Sequence, residues 1–478
     1  MEVRMPDTAS DRVSDRVSDR ASDRASDTAY GSALGDDLQA RAAALLRSTA
    51  NDLKRNDRDA EADLSLAPGA FAEYTSGRRP VTWELIERAA RVWPVNERDL
   101  LPVRDDAPTG VRVCRAKESA ATSRVIERGG GPYYEYRDTA MSRLSSYRPE
   151  WIRMLRTVDD DAPDNPAVEW NKGHLLYQFT YFVGPVNYYH EWEGVRHCVP
   201  MTTGDSVWGL PFGPHSFAAR SDAEPAYILA LTYGGDLTGD AQREIAALGT
   251  GAAADLALPS GADGALLASF LQARAMSPEE LARRSGLSPG RVHTLCAGAG
   301  RAEWSELAAL APALGVSVRE LLAPSTRARS GVSVRKGADV RRWTYPDSRR
   351  PAYRVAELAG DPLHPHTSAL EVEVLTREEG GPPLTTHQHQ YAYVLGDAPV
   401  TASWTRDGRT RTERLEPGDS AYAVPGVPLS LAAPEGGPAP RLLLLRIRGA
   451  VTPDVRFALG AMAADGIDRY VAEDRLWY

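Results

Sequence analysis

The sequence predicts an α+β, mainly β fold in which two small β-barrels each follow a helix-turn-helix-like helical bundle. Three observations favour this fold class. Runs of aromatic and β-branched residues, which are typical of strands, fill two separate regions, 108–245 and 331–450. Hydrophobic residues at helical spacing precede each region. With 478 residues, the chain is also too long to form one hydrophobic core.

The composition excludes several classes of protein. The net charge of −9 argues against a nucleic-acid-binding protein, because such proteins present a basic surface. The three cysteines, Cys114, Cys198 and Cys296, form neither a CxxC zinc motif nor a disulfide framework. No run of about 18 apolar residues and no secretory signal is found. These features predict a cytoplasmic protein without a membrane segment.

The first hundred residues combine a low-complexity tail with a helical bundle. Residues 1–35 repeat the tetrapeptide Ser-Asp-Arg-Val/Ala and cannot bury enough apolar surface to fold, so a disordered tail is predicted. Leu38, Ala42 and Leu45 keep helical spacing. A helix is also predicted from Trp83 to Trp93, ended by the proline that follows. Residues 36–105 are therefore predicted to form the first helix-turn-helix-like domain.

The next region, 106–245, is predicted to form the first barrel. Residues 177–183 and 227–233 are dense in aromatic and β-branched side chains and are predicted strands. Gly/Pro and Gly/Asp pairs between such runs mark the turns. Residues 246–262 are rich in Ala, Gly and Pro and are predicted to be a linker.

The same order then repeats. Ser277, Pro278 and Glu280 form the start signal of a helix, and Gly286 marks its end, so 263–328 is predicted to be a second helix-turn-helix-like domain. Strand patterns follow, and 329–478 is predicted to hold the second barrel and a C-terminal tail. The repeated order predicts a duplicated unit.

Two histidines in the first barrel have the spacing of a metal site. His174 and Gln178 lie four residues apart at the start of one strand, and His215 follows a Gly-Pro turn before another strand. In a barrel of the cupin type, such a turn brings the late histidine back beside the early one. Two imidazoles, one oxygen ligand and open positions favour non-haem Fe(II). We therefore predict His174, Gln178 and His215 as the ligands and the catalytic centre.

The second barrel lacks one half of this pattern. His387 and His389 resemble the first part of a cupin metal motif, but no histidine follows the later Pro-Gly turn. Two imidazoles alone make a poor metal site. The second barrel is therefore predicted to be non-catalytic, and a weak site completed by His364 or His366 is the less favoured alternative.

This arrangement resembles a known family. Duplicated helix-turn-helix and cupin units with Asn-x-x-His in the first barrel resemble the phosphonate-processing non-haem iron oxygenases, which include hydroxyethylphosphonate dioxygenase and methylphosphonate synthase. The family's two histidine ligands correspond to His174 and His215. In the dioxygenase the third ligand is a Glu, which corresponds to Gly209 here, and in the synthase it is a Gln, which corresponds to Gln178. The ligand pattern therefore resembles that of the synthase.

The resemblance also implies a set of substrate-binding residues. The family holds its phosphonate with an Arg and a Tyr eight residues apart, and Arg128 and Tyr136 have that spacing. Asn171 corresponds to the Asn three residues before the first histidine. Lys54 corresponds to a Lys that closes the pocket, although the local sequence has diverged. A phosphonate needs such cationic and neutral donors.

The implied activity is O2-dependent cleavage of the C–C bond of 2-hydroxyethylphosphonate in phosphonate biosynthesis, with Fe(2+) as cofactor. The substrate supplies all four electrons, so no 2-oxoglutarate is needed. The synthase gives methylphosphonate and CO2, and Gln178 with Gly209 favours that outcome. The alternative is the dioxygenase outcome, hydroxymethylphosphonate and formate. The sequence leaves the oligomeric state open, and a homo-oligomer is compatible with it.

A transcriptional regulator of the helix-turn-helix and cupin type is the alternative from another class. The predicted recognition helix at 289–295 offers only Arg291 and His293 to read base edges. With the acidic net charge, this argues against nucleic acid as a partner. An epoxidase acting on hydroxypropylphosphonate is less favoured, because that family uses Glu as its third ligand and has one unit per chain.

Overall fold

A computed structural model describes residues 36–145, 147–259 and 261–477. The predicted disordered tail, 1–35, lies outside the described residues. The chain divides into two compact units, and the described residues of 1–104 and 454–478 form unit 1, while those of 105–453 form unit 2. The fold combines α-helices with antiparallel sheets. Among the described helices, none has both the length and the apolar character needed to span a membrane.

The α-helices of the described residues have the following bounds: α1 (Asp36–Asp52), α2 (Asp57–Asp63), α3 (Ala70–Thr75), α4 (Trp83–Val92), α5 (Ala116–Ala121), α6 (Asp240–Leu248), α7 (Thr250–Leu256), α8 (Asp263–Ala273), α9 (Pro278–Ser285), α10 (Pro289–Cys296), α11 (Trp304–Leu314), α12 (Pro453–Gly460) and α13 (Ala464–Val471).

The strands have the following bounds: β1 (Val111–Cys114), β2 (Arg124–Arg128), β3 (Gly131–Asp138), β4 (Arg148–Met154), β5 (Tyr177–Val183), β6 (Val186–Trp192), β7 (Val195–Met201), β8 (Ser206–Gly209), β9 (His215–Ala219), β10 (Tyr227–Tyr233), β11 (Val332–Arg335), β12 (Arg342–Tyr345), β13 (Tyr353–Glu357), β14 (Ser368–Val374), β15 (His389–Leu395), β16 (Val400–Arg406), β17 (Arg409–Leu415), β18 (Ser420–Ala423), β19 (Leu429–Ala432) and β20 (Arg441–Ile447).

Unit 1 is built around a small helical core. Leu46, Phe71 and Trp93 are buried in it, and the rings of Phe71 and Trp93 meet edge to face. Thr82 caps α4 by accepting a hydrogen bond from the Leu85 amide. The helix predicted from Trp83 to Trp93 ends one residue earlier, because Trp93 adopts an extended conformation before Pro94.

In unit 2, the second helical bundle follows the sequence signals closely. The Ser277 side chain caps α9 by accepting a hydrogen bond from Glu280, and Gly286 ends the helix at a φ of +76°. The predicted linker, 246–262, contains α7 and the end of α6, and neither helix has a buried residue. Ala-rich segments have high helix propensity, and this explains how a segment without a core still forms helices. The predicted domain bounds otherwise stay a prediction.

Each repeat of unit 2 pairs a seven-stranded sheet with a three-stranded sheet. The first repeat has the orders β11-β8-β5-β10-β4-β3-β2 and β7-β6-β9. The second has β1-β18-β15-β20-β14-β13-β12 and β17-β16-β19. All pairings between these named strands are antiparallel.

The repeats exchange one strand with each other. β1 precedes the first repeat but pairs with β18 of the second, and β11 precedes the second repeat but pairs with β8 of the first. Hydrophobic alternation gives no information about which sheet a short strand joins, so the sequence placed β1 in the first barrel. The exchange links the two sheets by main-chain hydrogen bonds.

Two buried aspartates hold the exchanged strands. Asp205 accepts hydrogen bonds from the Lys336 ammonium at 2.9 Å and the Gly337 amide at 2.8 Å, just after β11. Asp419 occupies the equivalent Gly-Asp-Ser turn of the second repeat and pairs with Arg115, just after β1, at 3.0 Å. The side chains of Asp205 and Asp419 are 6% and 4% exposed, so both carboxylates are buried while their cationic partners remain partly exposed.

We expect Asp205→Asn and Asp419→Asn each to lower the free energy of unfolding by about 1.5–3 kcal/mol, because each removes the charge from buried hydrogen bonds. The midpoint of thermal unfolding should fall by roughly 2–4 °C. The matched control is Asp164→Asn, since Asp164 pairs with Arg196 while 81% exposed and should change the midpoint little. Equal midpoints for all three variants would contradict a role for the buried aspartates.

Candidate metal centre and anion cavity

The three predicted ligands come together from two different sheets. His174 lies in the loop before β5, Gln178 is on β5, and His215 opens β9. The ring centroids of His174 and His215 are 5.3 Å apart, and Nε2 of His174 is 3.0 Å from Oε1 of Gln178. These side chains are thus close enough to share one ion.

The backbone sets the protonation of both imidazoles. Nδ1 of His174 lies 2.9 Å from the Leu176 carbonyl, and Nδ1 of His215 lies 2.9 Å from the Gly213 carbonyl. A carbonyl only accepts, so each Nδ1 carries its proton and donates it. Burial lowers the pKa of His215 to about 4. Its neutral ring therefore keeps Nε2 as a free lone pair, which is the form that binds a metal.

Gln178 places a second lone pair against His174. Its amide nitrogen donates to Oγ1 of Thr180 at 2.9 Å, which directs Oε1 toward Nε2 of His174. With the Nδ1 proton of His174 directed at the Leu176 carbonyl, its Nε2 and the Gln178 Oε1 are both placed to bind one cation. The donor set therefore fits a metal.

This centre depends on an amide oxygen. The described residues contain no group of three or more His, Cys, Asp or Glu side chains that could hold a metal. Two imidazoles and the Gln178 amide form a neutral ligand set, so a bound Fe(II) would keep its full charge. Such a centre has greater need of an anionic substrate than one with a carboxylate ligand.

Asn171 ties the two histidine segments together. Its Oδ1 accepts hydrogen bonds from the amides of Gly173 and His215, both at 2.9 Å. The amide group keeps its two N–H donors for another partner. Gly173 has a φ of +72°, and a Cβ there would lie 2.4 Å from the Phe212 carbonyl carbon. The close approach of the two segments therefore requires glycine at 173.

A cavity of about 360 Å³ opens beside the candidate ligands. Besides the three ligands, it is lined by all the predicted substrate-binding residues of unit 2, Arg128, Tyr136 and Asn171. The structure thus brings together six of the seven predicted site residues. The remaining lining residues are Tyr134, Glu150, Ile152, Gly173, Leu176, Phe217, Ala230 and Thr232.

The cavity contains an unsatisfied cation. Nη1 of Arg128 is buried without a hydrogen-bond partner among the described residues. The guanidinium carbon lies 5.1 Å from the centre of the Tyr134 ring, which holds it at the cavity. Burial, with the nearby Glu150 carboxyl, raises the pKa of Tyr136, so its hydroxyl stays a neutral donor. Arg128 and Tyr136 can therefore bind an anion.

Lys54 belongs to unit 1, whereas the other six predicted site residues belong to unit 2. It has a φ of +60°, and its Nζ lies 3.2 Å from the centre of the Trp477 ring. The same ammonium donates to the Asp52 carbonyl. Its role in substrate binding stays a prediction.

Two residues of this region gave no sequence signal, and a third, His190, was considered as a ligand from the sequence but not favoured. Thr180 orients Gln178, and Glu150 lines the anion cavity on β4. His190 is 5% exposed, and neither of its ring nitrogens has a hydrogen-bond partner among the described residues. It lines a second, smaller cavity of about 20 Å³ that also borders the three candidate ligands and Gly209. Ordinary strand alternation conceals such residues, because buried polar side chains occupy core positions.

The second helical bundle has its two candidate base-reading side chains engaged elsewhere. Arg291 makes a bidentate pair with Glu306, with N–O distances of 2.7 and 2.8 Å. His293 pairs with Glu279 at 2.8 Å. Both side chains would have to leave these partners to contact bases. The geometry thus gives no support to a DNA-reading role.

The histidines of the second repeat are separated. His389 is buried, and its Nδ1 lies 2.7 Å from the Tyr422 hydroxyl, whereas His387 is exposed. His364 binds the Tyr233 hydroxyl instead, at 3.0 Å. These contacts agree with the predicted non-catalytic role, which no comparison tests.

The chain is similar to known proteins over most of its length. It is 37% identical over 434 residues to a methylphosphonate synthase from Nitrosopumilus maritimus, covering 90% of this chain and 93% of that protein. It is 64% identical to the Streptomyces albus 2-hydroxyethylphosphonate dioxygenase, solved with 2-hydroxyethylphosphonate and Fe(II) bound. That match has a TM-score of 0.90 and covers 92% of this chain and 99% of the other.

Two further matches concern parts of the chain or the fold alone. A cadmium complex of PhpD is 20% identical, with a TM-score of 0.68, covering 90% of this chain and 99% of that chain. The family model of the Cro/C1-type helix-turn-helix DNA-binding domain matches residues 267–326. This match confirms the helix-turn-helix pattern that the sequence predicted around α9 and α10.

Proposed function

Because the chain belongs to the family of methylphosphonate synthase and 2-hydroxyethylphosphonate dioxygenase, we propose that it is an Fe(II)-dependent oxygenase that cleaves the C–C bond of 2-hydroxyethylphosphonate with O2. One observation carries the proposal. A single cavity joins a buried, unpartnered arginine nitrogen to two adjacent candidate metal-ligand atoms, Nε2 of His174 and Oε1 of Gln178. The arginine nitrogen can bind an anion and the ligand atoms can bind a cation, and a substrate that chelates the metal provides for both.

The residues have separate tasks in this proposal. His174, Gln178 and His215 hold the metal, and bound Fe(II) would supply O2 activation and a Lewis-acid anchor for the substrate. Arg128, Tyr136 and the free amide donors of Asn171 orient the phosphonate. Because the substrate supplies the electrons, no second organic substrate is required.

We also propose that each repeat of unit 2 is a double-stranded β-helix barrel of the cupin type. The pairing of one seven-stranded with one three-stranded antiparallel sheet in each repeat supports this assignment. The second barrel is assigned a structural role, since His389 and His364 are hydrogen-bonded to tyrosines and His387 is exposed.

Two products follow from the same bond cleavage, and different observations favour them. The 64% identity to the dioxygenase favours hydroxymethylphosphonate and formate, which contain all atoms of substrate and O2. The Gln178 ligand pattern and the 37% identity to the synthase favour methylphosphonate, CO2 and water. These products also contain all atoms of the substrate and O2. We place the dioxygenase products first, because the identity to the dioxygenase is the higher of the two.

Phosphorus NMR of the reaction tests the proposal. The protein would be loaded anaerobically with Fe(II), given 2-hydroxyethylphosphonate, and exposed to O2 without a co-substrate. We expect complete conversion to hydroxymethylphosphonate; a methylphosphonate signal would establish the synthase outcome. His174→Ala should be inactive, whereas His293→Ala, a histidine of α10, should match the wild type. Unchanged substrate with Fe(II) bound would overturn the proposed function.

A further inference from the structure

Glu150 places a carboxyl group in the cavity that we assign to an anion. It lies in the middle of β4, opposite Asp138 of β3 and Ala230 of β10. It lines the same cavity as Arg128 and Tyr136. No described residue lies within hydrogen-bonding or ion-pair distance of its carboxyl oxygens. The sequence gave no reason to single it out.

The surroundings of Glu150 do not neutralise it. The charged or titratable groups that face it are Arg124 from β2, Asp138 and Tyr136 from β3, His174 from its loop, and Arg148 from its own strand, while Arg128 of β2 and His215 of β9 line the same cavity. Arg124 is already paired with Asp138 at 2.8 Å, while β10 contributes only Ala230 and Thr232 to this wall. Burial is the main cause that raises the pKa of Glu150.

An ionised carboxylate here would oppose the binding of a phosphonate. Two like charges in one partly desolvated cavity repel, and the usual outcome is that they share one proton. A protonated carboxyl has an O–H donor, and a phosphonate oxygen accepts it strongly. The unpartnered state of Glu150 leaves this donor available.

We propose that Glu150 carries a proton in the substrate complex and donates it as a hydrogen bond to the bound phosphonate, so that the cavity takes up the phosphonate together with one proton. Glu150 is then a substrate-binding residue that selects for a protonatable oxyanion. This inference rests on the proposed function and identifies the proton that its substrate site requires.

We expect the affinity for the phosphonate to depend on pH through the titration of Glu150. The pKa of Glu150 is higher with the phosphonate bound than without it, so binding is favoured at low pH and weakens as pH rises. Above the pKa of Glu150 in the free enzyme, affinity should fall by up to about tenfold per pH unit from this group. Glu150→Gln keeps an N–H donor without a charge and should remove that dependence.

Anaerobic calorimetry of the Fe(II)-loaded protein tests this directly, since no turnover occurs without O2. Affinity for 2-hydroxyethylphosphonate would be measured from about pH 6 to about pH 9, in two buffers of different ionisation enthalpy to count protons. We expect E150Q to bind within about threefold of the wild type at the lowest pH and more tightly than it at the highest. Over part of this range the wild type should take up about one proton more than E150Q.

Two variants control the experiment. Glu150→Ala should bind about 10- to 100-fold more weakly than E150Q at low pH, because it lacks the donor. Asp164→Asn changes an exposed carboxylate that does not line the cavity, and it should retain the wild-type profile. Parallel pH profiles for the wild type and E150Q, or equal affinities for E150A and E150Q, would overturn the inference alone. Absence of binding by the Fe(II)-loaded wild type would overturn the proposed function with it.

Discussion

Replacing Gln178 by alanine is expected to remove most of the affinity for Fe(II) and, with it, C–C bond cleavage. The variant loses the only oxygen among the three candidate ligands and leaves two imidazoles. Loss of a partner of a ligand alone weakens metal binding by about 10- to 100-fold, so loss of the ligand itself should cost at least as much. Anaerobic titration with Fe(II) against a competing chelator measures this, and phosphorus NMR measures activity.

The register of β5 and β8 allows a sharper form of this test. Gln178 and Gly209 are direct cross-strand partners, and a Cβ built on Gly209 would meet nothing closer than 3.8 Å. A carboxylate at 209 can therefore be accommodated beside the position that Gln178 leaves. We expect Gly209→Glu to restore at least about tenfold of the Fe(II) affinity to the Gln178→Ala protein.

Gln390→Ala is the matched control. Gln390 is a buried glutamine on β15 of the second repeat, where it donates to the Leu384 carbonyl. Its loss should leave Fe(II) binding unchanged. If Q390A and Q178A lose iron equally, the loss reflects folding and not coordination. Normal iron content in Q178A would remove Gln178 from the ligand set.

Replacing Arg128 by leucine should weaken substrate binding without affecting the metal. Removal of one member of a buried, hydrogen-bonded charge pair costs about 2–5 kcal/mol. The Kd for 2-hydroxyethylphosphonate should therefore rise by roughly 30-fold or more, with KM rising in parallel. The Fe(II) affinity should equal that of the wild type, because Arg128 touches the substrate and not the ligands. Anaerobic calorimetry separates the two quantities.

Arg156→Leu provides the comparison for Arg128. Arg156 also has a buried, unpartnered nitrogen, and its guanidinium lies 5.8 Å from the Tyr133 ring, as does that of Arg128. It does not line the cavity, however. A variant R156L that binds substrate normally would tie the effect to the cavity. An unchanged Kd in R128L would mean that another group binds the phosphonate.

Local sequence signals determined several individual elements of this protein. The strands at 177–183 and 227–233 match β5 and β10 to the residue, since dense aromatic and β-branched runs bounded by turns leave little choice. The cap formed by Ser277 and the stop at Gly286 were equally clear. Such features depend on a few adjacent residues and are readable without the fold.

The candidate centre could be predicted only in part. Residue type and spacing were enough to select His174, Gln178 and His215, because their chemistry is specific. The places of Glu150 and Thr180 in the site were not predictable. Neither were the hydrogen bonds by which Asn171 joins the two histidine segments. Each depends on which residues the register of separate strands brings to one cavity, and hydrophobic alternation contains no such information.

The sequence by itself thus determined the mixed fold class and several helices and strands, and it selected the candidate ligands that the structure brings together. Only the tertiary structure decided that β1 and β11 exchange between the repeats and that Asp205 and Asp419 hold them. It also decided that Gln178 of β5 lies directly opposite Gly209 on the neighbouring strand β8. The physical reason is that these features are set by contacts between residues distant in the chain, whose free energy depends on packing and register and not on any local pattern.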